Sequence, residues 1–98
     1  MKRLAFLFIA LATVVVANAA IVTGQVTDAQ GEPLIGVSVV QTGTSNGTIT
    51  DFDGFYSIDI PNDAQLQFSY IGYATATESI NNRSTINVVL REDTRVLE

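Results

Sequence analysis

The 98-residue chain contains no cysteine and no histidine, and its five Lys and Arg residues face ten Asp and Glu, for a formal net charge of −5. Without cysteine there is no disulfide framework. The two absences together exclude Ser-His-Asp and Cys-His nucleophile activation and the usual zinc ligand sets. The excess of acid argues against nucleic acid or an anionic membrane surface as partner, since both are polyanions that select basic faces. Carboxylates are the only catalytic or metal-binding candidates left. Asp51 and Asp53 sit in one turn, and Asp28 and Glu32 flank another, so a glycosidase-like pair or a calcium site has to be weighed. An EF-hand loop needs Asp-x-Asp-x-Asp-Gly with a Glu at position twelve. Here Gly54 follows Asp53 directly, and no Glu stands at that place. The four acids are read as turn and strand-edge carboxylates. No catalytic, cofactor-binding or metal-binding residue is assigned, and the chain is not expected to be an enzyme.

What the chain does have begins with a leader. Lys2 and Arg3 precede an unbroken, mostly apolar run from Leu4 to Ala17, closed by Ala17-Asn18-Ala19, with small residues at both recognition positions of an A-x-A cleavage site. As a helix the run of roughly fourteen residues would span about 21 Å, short of the roughly 30 Å of a bilayer core, so a permanent membrane span is disfavoured. Residues 1–19 therefore read as a secretory signal peptide, cleaved after Ala19. No cysteine follows to carry a lipid anchor. Removing Lys2 and Arg3 with the leader leaves Arg83, Arg91 and Arg95 against all ten acids, a formal charge of −7. The remaining domain is small, and with no disulfide it relies on one hydrophobic core.

From Ile21 onward the pattern is alternation punctuated by turns. Asp28-Ala29-Gln30-Gly31 and Asp51-Phe52-Asp53-Gly54 share one grammar. The aspartate can accept from the backbone two residues on, and the glycine supplies the backbone angles at the turn's exit. Strands are expected over 21–27, 36–41, 48–50, 55–60, 65–70, 73–79 and 85–90, with a small-residue loop at 42–47, a break at 61–64 and a turn at 81–83. Seven short strands at this spacing are the signature of an all-β sandwich. Period two selects Val22, Val26, Leu34, Val37, Val39, Tyr56, Ile58, Ile60, Leu66, Phe68, Tyr70, Ile86, Val88 and Leu90 as the core. Tyr70-Ile71-Gly72-Tyr73 marks a bulge or tight turn at Gly72. Its rings either fill the sandwich, with Tyr70 in phase with Leu66 and Phe68, or form a glycan platform.

Val22-Thr23-Gly24-Gln25-Val26-Thr27-Asp28, then Gly31 to Val37, Gly43-Thr44, Thr48 to Asp51, Gly54-Phe55-Tyr56 and Ser69-Tyr70-Ile71-Gly72-Tyr73 together resemble the carboxypeptidase regulatory-like domain family. The resemblance is closest to the version at the N-termini of SusC/RagA-type TonB-dependent outer-membrane transporters of Bacteroidota, and it runs from Ile21 to Leu90. It implies a seven-stranded Greek-key, transthyretin-like β-sandwich over residues 20–90 and a linker-like tail over 91–98. That tail is similar to the stretch that runs into the transporters' energy-coupling motif. In the metallocarboxypeptidases that give the family its title, the zinc ligands and catalytic glutamate belong to the neighbouring peptidase domain, and nothing here matches them. The implied role is a non-catalytic periplasmic accessory domain of a SusC-like nutrient transporter, associated with the outer membrane. Its partners would be the proteins of that machinery, with no nucleic acid and no membrane span of its own after cleavage. The alternative is a stand-alone exported binding or adhesion module that uses the small-residue loop and an exposed sheet edge. The chain is accordingly either an isolated reading frame or a piece of a longer transporter.

Overall fold

A computed structural model describes residues 19–93. The expected leader, apart from Ala19, and the last five residues of the expected tail lie outside the described residues. The strands are β1 Ala19–Thr27, β2 Ser38–Gln41, β3 Gly47–Ile49, β4 Phe55–Pro61, β5 Gln65–Ser69, β6 Ala76–Ser79 and β7 Val88–Val89, and no helix occurs among the described residues. They form a three-stranded sheet in the order β4-β1-β7 and a four-stranded sheet in the order β3-β2-β5-β6, the two faces of a sandwich. Only the β2–β3 and β5–β6 connections stay within one sheet; the others pass from sheet to sheet.

Period two explains the burial. In β4 the side chains of Tyr56, Ile58 and Ile60 are buried while Ser57 and Asp59 are exposed, and in β5 Leu66 and Phe68 are buried between exposed glutamines. Registry aligns these rows, with Val22 opposite Ile58 in one sheet and Val39 opposite Phe68 in the other. Tyr56 and Phe68 then meet between the sheets edge to face, ring centroids 5.5 Å apart at 73°, a geometry that aligns ring edge with ring face.

The buried set departs from expectation in one exchange. Tyr70 is only partly buried, and Ile80 takes a fully buried place. β5 ends at Ser69, so the alternation that put Tyr70 in phase stops before reaching it. The Tyr73 N–H instead donates to the Tyr70 carbonyl at 3.0 Å, and Gly72 in the turn has φ +86°. Ile80 is held by its N–H to the Ala64 carbonyl at 3.0 Å, just before Asn81 and Asn82, both in the left-handed region.

Besides β5, three strands are shorter than expected. β2 starts at Ser38 because Leu34 to Val37 form a turn with Gly36 at φ +82°. β6 begins only at Ala76, because Gly72 to Ala74 are engaged by Arg91 to Asp93: the Ala74 N–H donates to the Arg91 carbonyl and the Asp93 N–H to the Gly72 carbonyl, each at 2.9 Å. The first residues of the expected tail are thus bonded to the domain.

The last strand contracts for a more specific reason. Residues 84–90 run parallel to β1, with Thr23 N–H to Ser84 O at 3.0 Å, Ile86 N–H to Thr23 O at 2.9 Å and Leu90 N–H to Thr27 O at 2.8 Å. Midway the ladder is broken. The Gln25 N–H goes to Asn87 Oδ1 at 2.9 Å, while the Ile86 carbonyl accepts the Tyr56 hydroxyl at 2.6 Å. The space is supplied by Gly24, where a Cβ would lie 1.9 Å from the Ile86 oxygen. Backbone approaches of this kind are a recognised use of glycine inside a strand.

Candidate functional site

The four acids singled out from sequence belong to two turns built on one plan. Asp28 N–H donates to Glu32 O at 2.9 Å, Gly31 N–H to Asp28 O at 3.0 Å, and the N–H groups of Gln30 and Glu32 both reach Asp28 Oδ1 at 2.9 Å. Asp51 repeats each bond: its N–H to Phe55 O at 3.0 Å, Gly54 N–H to its carbonyl at 2.9 Å, and Asp53 and Phe55 N–H to its Oδ1 at 2.9 Å. Gly31 and Gly54 close the two loops at φ +86° and +78°. This is the three-residue loop in which a type I turn is followed by a left-handed glycine. One oxygen of each turn aspartate is therefore committed to two amides. Among the described residues, no three acidic side chains gather where they could hold a metal ion.

The second of these turns is locked to the neighbouring loop by Thr50, whose buried side chain went unnoticed in the sequence. Its hydroxyl donates to the Leu34 carbonyl at 2.6 Å and accepts the Val37 N–H at 2.9 Å, while the main chains exchange Thr50 N–H to Val37 O and Gly36 N–H to Thr50 O, both at 3.1 Å. A buried donor and acceptor are satisfied by one side chain that spans the Leu34–Val37 turn.

These turns bring exposed apolar groups to one end of the four-stranded sheet. Ile49 stands opposite Ser38, which stands opposite Ser69, in a row across β3, β2 and β5. Beside the row lies a shallow open groove of about 690 Å³ lined by Gly36, Ser38, Ser69, Tyr70 and Ile71. Around it Ile71 is 92% exposed, Ile49 64% and Ile35 48%, and Phe52, in the adjoining turn, is 81% exposed. The Tyr70 and Tyr73 rings are 5.5 Å apart and tilted by 47°, and both pack partly against the core. The Tyr73 hydroxyl is held above the ordinary tyrosine range by lost hydration, then by the carboxylates of Glu92 and Asp28 and by Tyr70. The sequence singles out Tyr70 to Tyr73 for its rings and its turn, but gives no role to Ile71, Ile35 or Ile49 as exposed apolar groups. The signal was the repeated Ile-Gly pair, Ile35-Gly36 and Ile71-Gly72, which puts a large apolar group at a turn corner where Pro or a polar residue is usual.

The small-residue loop is tied down rather than open. Asn46 Nδ2 donates to Gln41 Oε1 at 3.0 Å and to the Asp59 carbonyl of β4 at 2.9 Å, stitching the β3 side of one sheet to β4 of the other. At the far edge, Arg83 pairs with Glu78 at 3.2 Å and donates to the carbonyls of Ser79 and Ile80, covering the end of β6. Each sheet keeps two edge strands, β4 and β7 in one and β3 and β6 in the other. No helix among the described residues is long and apolar enough to cross a membrane.

Two bonded turns, a stitched loop and an apolar groove on a seven-stranded frame define a small β-sandwich module. The chain belongs to the CarboxypepD_reg-like domain family, whose sequence profile matches residues 22–98. It is 44% identical over 78 residues to a TonB-dependent receptor of Formosa agariphila, covering 79% of this chain and 8% of that protein. A second receptor of that organism is 39% identical over 101 residues, covering 100% of this chain and 10% of the relative. The TonB-dependent receptor SusC of Bacteroides thetaiotaomicron is 40% identical over 77 residues, covering 79% of this chain and 8% of SusC. The chain thus spans a tenth or less of the length of these relatives. Among solved structures, a chain of the type II cohesin–X–dockerin complex from Acetivibrio cellulolyticus superposes with a TM-score of 0.57 at 16% identity, covering 71% of this chain and 56% of that one. At that identity the likeness concerns the sandwich fold alone.

Proposed function

We propose that this chain is a non-catalytic periplasmic accessory domain of a SusC-like TonB-dependent outer-membrane transporter, acting on the assembly or energy coupling of the receptor rather than on its transport chemistry. The observation that carries this reading is the 39–44% identity to TonB-dependent receptors across the whole domain, of which the domain is only 8–10%. The structure supports it in two ways. Asp28 and Asp51 each commit one carboxylate oxygen to turn amides, and four exposed apolar side chains, Ile35, Ile49, Phe52 and Ile71, gather at one end of the four-stranded sheet, as an interaction domain requires, with Ile21, Phe55 and Val89 exposed on the other sheet. The periplasmic location belongs to the same proposal. It rests on the leader motif, whose cleavage after Ala19 would leave Ala20 to open β1 opposite Ile60.

The test is deletion of residues 20–93 from the receptor that carries them, leaving the leader in place. Receptor level in the outer membrane or receptor-dependent growth should fall, while the purified receptor keeps its substrate affinity. Loss of substrate binding by the purified deletion variant would replace this reading with that of a binding module. Unchanged level, growth and affinity would remove it altogether.

A further inference from the structure

The groove at the end of the four-stranded sheet has an occupant that the chain's own path identifies. Three turn corners at this end carry large apolar side chains: Ile35 in Leu34–Val37, Phe52 in Asp51–Gly54 and Ile71 in Tyr70–Tyr73. The turns do not need them. The Asp28–Gly31 turn makes the same backbone bonds as Asp51–Gly54 with Ala29 where Phe52 stands. Turn corners project furthest into water, so large apolar groups placed there are costly to hydrate unless something covers them.

We infer that these corners and the groove of Gly36, Ser38, Ser69, Tyr70 and Ile71 are the docking surface for the part of the receptor polypeptide that follows this domain. The inference rests on the receptor reading proposed above. Its geometric basis is the exit of the chain. Asp93 donates its N–H to Gly72, the residue after Ile71, so the polypeptide leaves the domain beside the most exposed of the corners. Relatives continue for many times the length of the domain. A segment tethered there meets the groove at an effective concentration in the millimolar range for short flexible connections, so even weak apolar contacts hold it. Charge selects against a second copy of this chain. Asp51 and Asp53 flank Phe52 in an acidic domain, and self-association would bring like charges together, whereas a receptor surface with apolar residues rimmed by Lys or Arg would be complementary.

The experiment places a photo-crosslinking amino acid at Ile71 or Phe52 of the full-length receptor in outer membranes, with Ser57, exposed on the opposite sheet, as control. Expected are cross-linked peptides within one molecule that join residue 71 or 52 to receptor sequence beyond residue 98, with none from residue 57. Cross-links to a second receptor copy, cross-links to a different protein, equal yield from residue 57, or no product at 71 and 52 would each overturn the inference. As a second measurement, Ile71→Ser combined with Phe52→Ser should lower several-fold the intramolecular yield from a probe at Ile49, counted per receptor molecule present in the membrane. Unchanged yield overturns it too. Failure here alongside a deletion phenotype removes the docking surface and leaves the accessory role standing.

Discussion

The paired Asp turns allow the conformational and packing roles of a glycine to be separated within one molecule. Gly31 and Gly54 occupy the same place in loops with the same four hydrogen bonds, at φ +86° and +78°. An alanine at either position pays for the left-handed backbone, about 1–2 kcal/mol. Their surroundings differ. A Cβ on Gly31 meets nothing within 4 Å, whereas one on Gly54 lies 2.6 Å from the Val26 carbonyl oxygen, 3.1 Å from Pro33 Cβ and 3.3 Å from the Leu34 nitrogen. The Val26 oxygen cannot simply retreat, because it accepts the Leu34 N–H at 3.0 Å while the Val26 N–H donates to Gly54 O at 2.8 Å. Crowding of that kind adds about 1–3 kcal/mol. Gly31→Ala should therefore cost about 1–2 kcal/mol and Gly54→Ala about 2–5 kcal/mol. Equilibrium urea unfolding of the chain from Ala20 onward measures both, and with a slope of about 1 kcal/mol/M for so small a domain the two midpoints should separate by about 1–3 M. Equal losses in the two variants would refute the packing argument, and negligible losses in both would refute the turn assignment itself.

Thr50→Val keeps the shape of a buried side chain but leaves the Val37 N–H and Leu34 carbonyl without their partner, and should cost about 2–4 kcal/mol by the same urea assay; a loss below that of Thr77→Val, at an exposed place in β6, would contradict it. Burial pushes the Tyr56 hydroxyl up to about 12, with Glu78 adding to the rise and Arg83 opposing it. Because the folded value lies above the unfolded one near 10, its stabilisation is intact below pH 10 and lost as pH rises toward 12. The urea midpoint should fall across that window, and Tyr56→Phe, itself costing about 1–2 kcal/mol for the lost bond to Ile86, should flatten the fall. Gly24→Ala should be among the most damaging single substitutions, because the added carbon would sit 1.9 Å from the Ile86 oxygen and 2.9 Å from Tyr56 Cε1; a melting temperature within experimental error of the parent would disprove the close approach. Millimolar calcium should leave the melting temperature almost unchanged, whereas an ion at 100 times its dissociation constant would add about 2.7 kcal/mol; a shift of several degrees abolished by Asp51→Asn would show that Asp51 is a ligand.

What could be read in advance was local. β4 and β5 declared themselves because one face of each is buried and the other wet, so the apolar residues fall at every second place. The Asp-x-x-Gly turns were legible because every bond that makes them lies within five consecutive residues. Legibility failed where a distant segment decides the outcome. Tyr70 kept the period of β5 but lay beyond its end, and Ile80 entered the core through a bond to Ala64 that no periodicity foretells. Thr50 reads as an ordinary strand residue until the Leu34–Val37 turn is folded onto it. The apolar end of the sheet was hidden for a related reason. Isoleucine beside glycine suits a strand as well as a turn corner, and only the fold shows that Ile35 and Ile71 stand outside the pleat.

Gly24 links the core to the surface where a partner would bind. By lacking a side chain it lets residues 84–90 lie against β1 in parallel, with the Ile86 carbonyl turned inward to Tyr56 and Asn87 filling the gap left at Gln25. That parallel course carries the chain across the edge of the three-stranded sheet, past Leu90 bonded to Thr27, and on to Arg91–Asp93 beside Gly72–Ala74, in the connection between β5 and β6. The place of Asp93 against Gly72 therefore depends on a contact near the centre of β1. A larger residue at position 24 that still allowed folding would have to displace residues 84–88, and with them the strand that delivers Asp93 to Ile71. Loss of the Asp93 to Gly72 bond, read as faster amide exchange at Asp93 in the Gly24→Ala variant than in the parent, is the signature expected of that chain of contacts; unchanged exchange at Asp93 in a folded variant would show that the exit is positioned by the 70–74 turn alone.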